Sequence, residues 1–229
     1  MISIRNVTRR FDNNVVLENL SEQFIQGEIS TIIAPNGTGK TVLLSLIAGF
    51  ITPSSGQIVF SDGYTHSDIA LLLPGEKNLY MKNTVEENVL YFGSLMGLNR
   101  KKVLQSICKY KKMFPIYDQI RHKTAETLSY GQKRMASLFS AIVSETRCII
   151  IDEASEGLDL ENVNCLIDML QNVKKDRLII LSTHDYSFAA KVSDRFLFLK
   201  NGEIVHRATD VSYEELLSIY KSIFENGDK

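Results

Sequence analysis

Residues 34–41, Ala-Pro-Asn-Gly-Thr-Gly-Lys-Thr, follow the apolar run GEISTIIA and precede a helical one. That is the context of a phosphate-binding loop, whose pattern is G-x-x-x-x-G-K-[ST]; Ala34 stands where the first glycine is expected. Such a loop aims several backbone N–H groups at phosphate oxygens, at the positive end of a helix. Gly37 and Gly39 permit the curvature, Lys40 suits the β- and γ-phosphates, and the Thr41 hydroxyl suits Mg²⁺. Asn36, Thr38 and Val42 are assigned to the same nucleotide contact. A second constellation, Cys148-Ile-Ile-Ile-Asp152-Glu153, is an apolar strand ending in two acids. It places carboxylates at the carboxyl edge of a parallel sheet, where ligands bind. Asp152 then holds, through a water, the Mg²⁺ that Thr41 contacts, and Glu153 polarises the attacking water as general base. Strands also end in solvated acids for no functional reason, so this second reading draws its strength from the first.

The elements that must position these residues are visible as changes of period. Short β-like runs open the chain (ISIRNV, VVLENL, SEQF, GEISTIIA), separated by turn residues at 12–14 and 26–28. Residues 40–48 read as a buried helix ending at Gly49, and GQIVF and DIALLL as strands. The stretch 84–113 is helical, and Thr84 followed by Glu87 predicts a capping box. Another helix begins near Ser129, with Met135, Leu138, Phe139, Ile142 and Val143 on one face. Strand and helix then alternate, RFLFLK and EIVHR form a hairpin about Gly202, and an amphipathic helix covers 212–224. Fully apolar strands alternating with helices predict a parallel sheet covered on both faces. The expected fold is therefore α/β: a mixed, mainly parallel β core with an antiparallel β region at the start and an inserted helical region in the middle.

Bulk properties narrow the function. The chain has 229 residues, 44% hydrophobic and 23% charged, with a net charge of -1. Global charge therefore gives no reason to expect a nucleic-acid partner, and Lys109, Lys111 and Lys112 read as a solvated helix face. The three cysteines form no C-x-x-C, and residues 1–11 lack a signal-peptide layout, which suits reduced thiols in a cytosolic protein. No apolar run approaches the roughly 18 residues of a membrane span.

Leu128-Ser129-Tyr130-Gly131-Gln132 completes a family pattern. The chain resembles the nucleotide-binding subunit of ABC transporters, whose LSGGQ signature it matches with Tyr130 in place of the first glycine. The ordered set covers nearly the full length. Phe11 falls where the family stacks an aromatic on adenine, the Walker A loop is 34–41, the signature 128–132 and Walker B 148–153. Residues 155–159 (SEGLD) look like the D-loop, and His184 follows RLIILS as the switch histidine does. The resemblance implies a P-loop ATPase of ABC type: one domain over 1–229, with 1–74 and 146–229 as catalytic core and 75–145 as helical subdomain. It implies ATP and Mg²⁺ as ligands, with Thr41 and Asp152 at the metal and Glu153 and His184 as catalytic residues. Ser129, Gly131, Gln132 and Asp159 are implied to serve the ATP held by a second subunit, in a homodimer or heterodimer. Integral-membrane permease subunits are the implied partners, which would hold the chain on the cytoplasmic face of a membrane. The segment 75–97 is similar to branches of the drug- and peptide-resistance exporter type (ABC-2), so export is the expected direction.

Each assignment has a plainer competitor. Phe11 can be a hairpin core residue, His184 a helix cap, Asp159 a first-turn acid matched to the helix dipole, and Ser129 a simple cap. The family usually carries a glutamine after the strand corresponding to IALLLP, and Gly75 occupies that place, leaving Glu76, a water or slower hydrolysis as the alternatives. Two other functions stay open: a soluble ABC-type ATPase outside transport, or an ATP-binding regulatory partner with negligible turnover. The long coiled-coil insertion or second cassette usual in soluble relatives does not occur in the sequence. Ala34 lies at the junction of strand and loop, away from the phosphate-facing glycines. Ala34→Gly is therefore expected to change ATP affinity little; a gain of about tenfold in a nucleotide titration would show that the methyl distorts the loop.

Overall fold

Alternating side chains build the first sheet. In the computed structural model, which describes residues 1–225, β1 (Ile2–Phe11) pairs antiparallel with both β2 (Asn14–Phe24) and β4 (Ser55–Phe60). The runs VVLENL and SEQF, separate in the sequence reading, form one strand. Asn19 at φ 45° marks an irregularity that shifts the inward set from Leu17 to Leu20, after which Glu22 and Phe24 follow in alternation.

The second sheet has the order β5-β6-β7-β3-β8-β9. Its strands are β3 (Ile29–Ile33), β5 (Ile69–Leu72), β6 (Cys148–Ile151), β7 (Leu178–Ser182), β8 (Arg195–Lys200) and β9 (Glu203–Thr209). β5 to β8 are parallel neighbours, and β9 returns antiparallel through a turn in which Asn201 and Gly202 have φ of 52° and 81°. β3, β6 and β7 are buried at every position, as their unbroken apolar runs require. The two sheets meet through the buried carboxylate of Glu22, which accepts from Arg195 at 2.6 Å and Arg207 at 2.8 Å.

The helices are α1 (Lys40–Ile47), α2 (Val85–Leu95), α3 (Arg100–Tyr110), α4 (Tyr117–Ile120), α5 (Tyr130–Val143), α6 (Leu160–Val173), α7 (Tyr186–Val192) and α8 (Tyr213–Phe224). Leu43, Leu44, Leu46 and Ile47 of α1 pack with Ile32, Ile150 and Ile180, so the first helix after the loop is anchored on one face of the sheet. α2 to α5 are inserted between β5 and β6, and their core centres on Phe114, Tyr117 and Phe139, with ring centroids 4.9 to 6.5 Å apart. α2 opens with the expected capping box: the Glu87 N–H donates to Thr84 Oγ1 at 3.2 Å, and Glu87 Oε2 accepts from the Thr84 N–H at 2.7 Å.

The apolar face of α5 formed by Met135, Leu138, Phe139, Ile142 and Val143 is buried as expected, and burial goes further: every residue from Arg134 to Val143 is buried, because the helix lies between the sheet and α2, α3 and α6. Its serines tolerate that position by returning their hydroxyls to the preceding turn, Ser137 to Lys133 O at 2.8 Å and Ser140 to Ala136 O at 2.9 Å.

Candidate active site

Three neighbouring strands converge at their carboxyl ends. β7 lies between β6 and β3, so the end of β7 separates the acids that follow β6 from the loop that follows β3. Ser182 occupies that position. Its hydroxyl donates to Asp152 Oδ1 at 2.5 Å and accepts the Glu153 N–H at 2.9 Å. The other Asp152 oxygen, Oδ2, accepts from Thr41 Oγ1 at 2.5 Å. The carboxylate of Asp152 is wholly buried, and this pair of hydroxyls satisfies both of its oxygens.

The loop takes the shape its glycines allow. Gly37 and Gly39 have φ of 80° and 101°, and a Cβ at Gly39 would stand 2.9 Å from Val16 Cγ1. Gly39 is therefore required by both conformation and space. Ala34 is different: it has no positive φ, and its methyl is buried in the core beside α1. Its carbonyl accepts from Lys40 Nζ at 2.9 Å, and the Pro35 carbonyl accepts from the same atom at 3.2 Å. Thr38 closes the turn by donating to Pro35 O at 2.8 Å, and Asn36 Oδ1 lies 3.5 Å from Lys40 Nζ. Val42 is half-buried against the core at the start of α1.

Glu153 ties the loop to β7. Its Oε1 lies 3.4 Å from Lys40 Nζ, and its Oε2 lies 2.8 Å from His184 Nδ1. Glu153 has φ 48°, a left-handed conformation costly for a residue with a side chain, and such strain gathers at functional sites. His184 is not the cap of α7; Asp185 is, accepting the Phe188 N–H at 3.0 Å. The imidazole is 61% exposed, and its Nε2 has no partner among the described residues.

The remaining predicted residues lie elsewhere. Phe11 is no core residue: it ends β1, 42% exposed, with the Arg9 guanidinium 4.3 Å from its ring centroid. Ser129 caps α5, accepting the Gln132 N–H while Gln132 Oε1 accepts the Ser129 N–H, both at 3.2 Å. Gly131 sits close to Asn162, and Asp159 caps α6 by accepting the Asn162 N–H at 2.9 Å. Among the described residues no hydrogen bond or ion pair joins 128–132 to 34–41. Glu76 is engaged by Lys133 Nζ at 2.6 Å.

Thr41 and Asp152 fit Mg²⁺. A hydroxyl and a carboxylate side by side at the loop are a hard oxygen set, and among the described residues there is no cluster of three acidic, histidine or cysteine groups to form a full protein cage. Mg²⁺ characteristically takes one or two protein oxygens and completes its shell with phosphates and waters.

Arg134 escaped the sequence reading. Almost fully buried on α5, it donates to Leu73 O at 2.6 Å, Asp152 O at 2.5 Å and Glu153 O at 3.1 Å. Burial pulls its guanidinium below the ordinary arginine value. The available signal was an arginine directly before Met135, where the buried apolar part of the helix begins.

A loop, a buried carboxylate and a lysine–glutamate–histidine line at the edge of a parallel sheet define a P-loop nucleotide-binding protein. The sequence profile of the ABC transporter family matches residues 17–156. The chain is 30% identical over 208 residues to an uncharacterized ABC transporter ATP-binding protein of Methanocaldococcus jannaschii, spanning 90% of this chain and 76% of that one. It is 28% identical to the ABC transporter ATP-binding protein NatA of Bacillus subtilis, over 97% and 92% of the two chains. It is 31% identical to the Fe(3+) ions import ATP-binding protein FbpC of Escherichia coli O157:H7, over 89% of this chain and 60% of that protein. Its fold matches the ATP-binding subunit of an ABC transporter with a TM-score of 0.85 at 24% identity, over 96% and 98% of the chains. It also matches a dimeric ATP-binding cassette bound to ADP and Pi, with a TM-score of 0.79 at 19% identity over 91% and 98%. The chain belongs to the ABC transporter family, and it is an ABC-type ATPase.

Arg134→Met keeps much of the packing volume but leaves three carbonyls without their donor. The expected loss is about 3 kcal/mol of stability, read as a lower denaturant midpoint at unchanged slope.

Proposed function

We propose that the chain is the ATP-hydrolysing motor subunit of a membrane transporter, working as a dimer that closes around two ATP molecules. The observation that carries this reading is Glu153, held between Lys40 and His184 within 3.4 Å of both. In the proposed site Lys40 leaves the Ala34 and Pro35 carbonyls for the β- and γ-phosphates, releasing Glu153 Oε1 to accept a proton from the attacking water. His184 orients Glu153 through Nδ1 and presents Nε2 to the γ-phosphate. Mg²⁺, held by Thr41 and Asp152, would supply charge stabilisation of the phosphate oxygens. Phe11 provides the exposed aromatic face for adenine. Ser129, Gly131, Gln132 and Asp159 serve the partner subunit's nucleotide, which fits their separation from residues 34–41 within the chain. Two units do this work: 1–74 with 146–229 as the catalytic core, and 75–145 as the helical subdomain.

The membrane subunits dock, in this reading, on a groove of about 300 Å³ lined by Phe50, Leu71, Leu73, Phe92, Leu95 and Met96. Phe50 is 71% exposed and Leu95 59% exposed, so the groove rim offers apolar surface that a partner could cover. Among the described residues no helix is long and apolar enough to cross a membrane, and in this proposal the crossing falls to the docked membrane subunits. Export is the direction we propose, from the similarity of residues 75–97 to exporter branches. An import protein, FbpC, is among the relatives; in this proposal the membrane partner, rather than this chain, sets the direction.

Glu153→Gln should lower ATP turnover by about a hundredfold or more and accumulate an ATP-bound dimer on gel filtration. Turnover at the wild-type rate would remove Glu153 as the base. Purification from detergent-solubilised membranes should recover a multi-span protein with the chain, and recovery of none would favour a soluble role.

A further inference from the structure

The two residues that break the family pattern near the helical region touch each other. The Tyr130 hydroxyl accepts the Gly75 N–H at 3.3 Å and donates to Glu156 Oε2 at 3.2 Å, so both capacities of the phenol are used within its own chain. The ring lies over Gly157: a Cβ there would stand 2.4 Å from Tyr130 Cε1, and the φ of 69° independently favours glycine. Gly75 has open space for a Cβ but a φ of 82°, so it is the backbone turn that disfavours a glutamine in this conformation. One turn along α5, Lys133 pairs with Glu76 at 2.6 Å and Arg134 holds Leu73 O at 2.6 Å. Asn78 closes the same loop, accepting the Leu73 N–H at 3.1 Å and donating to Leu73 O at 2.6 Å. The start of α5, Tyr130 to Arg134, thus binds the 73–78 loop on one side and the 155–159 loop on the other.

We propose that Tyr130 is a positioning residue for ATP turnover: its phenol ties the Gly75 and Glu156–Gly157 loops to the signature helix and so sets the surface offered to the second subunit's nucleotide. The proposal rests on the two-subunit reading given above. A tyrosine here directed outward would obstruct the phosphates approaching Ser129 and Gly131. Folded back onto Gly157, it leaves that approach clear and transmits movement of the 73–78 loop, beside the proposed docking groove, to the signature and the D-loop.

Tyr130→Phe keeps the ring and removes both hydrogen bonds. It should lower kcat by about five- to tenfold while the KM for ATP stays within about twofold, because residues 34–41 are untouched. Glu156→Ala should act through the same contact, so the double variant should fall no further than the worse single one. Tyr130→Gly, which restores the family residue, should be at least as slow as Tyr130→Phe. Additive losses, a wild-type kcat in Tyr130→Phe, or faster turnover in Tyr130→Gly would each overturn the proposal. Hydrogen exchange decides the tether independently of catalysis: the Gly75 amide should exchange about tenfold faster in Tyr130→Phe. Unchanged exchange would overturn the tether, whereas wild-type protein without ATPase activity would instead overturn the catalytic reading beneath it.

Discussion

A carboxylate withdrawn from water must have its oxygens matched by donors, and at Asp152 that requirement organises the centre of the molecule. One donor, Ser182, comes from the strand beside it; the other, Thr41, comes from the first turn of the helix two strands away. Both can arrive only if β7 lies between β6 and β3 and all three strands run parallel. The strand order, the seat of α1 on the sheet and the position of the loop are therefore linked through one buried acid. The same serine takes the Glu153 N–H, which holds the next residue in its left-handed conformation and turns its side chain toward Lys40 and His184.

Charge compensation extends from that centre. Lys40 is buried against two loop carbonyls and the Glu153 carboxylate, a ligand shell that phosphate oxygens can replace with stronger partners. Arg134 performs the complementary task on the other side of the acids, neutralising carbonyl dipoles at the ends of β5 and β6. One cation thus faces the loop and one faces the helical insertion, with the acid strand between them. Through Arg134, Lys133 and Tyr130 the insertion is fastened to the same strand ends that carry the chemistry. This gives α5 a physical reason to be buried all round, and it places the exposed apolar groove next to the loop that α5 grips.

Much of this was legible in the residues. The spacing of Gly37, Gly39, Lys40 and Thr41 after an apolar run, the acids at the end of CIIID, and the caps at Thr84 and Ser129 are local patterns with local causes. That the apolar strands lie side by side in a parallel sheet followed from their unbroken apolar character; their order in the sheet did not. The joining of VVLENL with SEQF into β2 was hidden because the irregularity at Asn19 breaks the alternation that would mark one strand. Arg134 was hidden because an arginine beside Lys133 near the polar start of a helix is ordinarily read as surface. The deciding carbonyls lie far away in the chain, at Leu73, Asp152 and Glu153.

The sequence by itself determined which chemical groups are present, their order, and the elements that carry them, since period, capping and glycine placement act over a few residues. It also supported the family, because many short motifs in one order are specific together. Only the tertiary structure decided what each group touches: that Ala34 buries its methyl in the core, that Asp185 and not His184 caps α7, and that Phe11 is exposed. Tyr130 and Gly75 looked like two unrelated departures along the chain, 55 residues apart. Folding brings them within a hydrogen bond, because the parallel sheet places the end of β5 beside the start of α5. Contacts of that separation depend on the packing of whole elements, which no local pattern encodes.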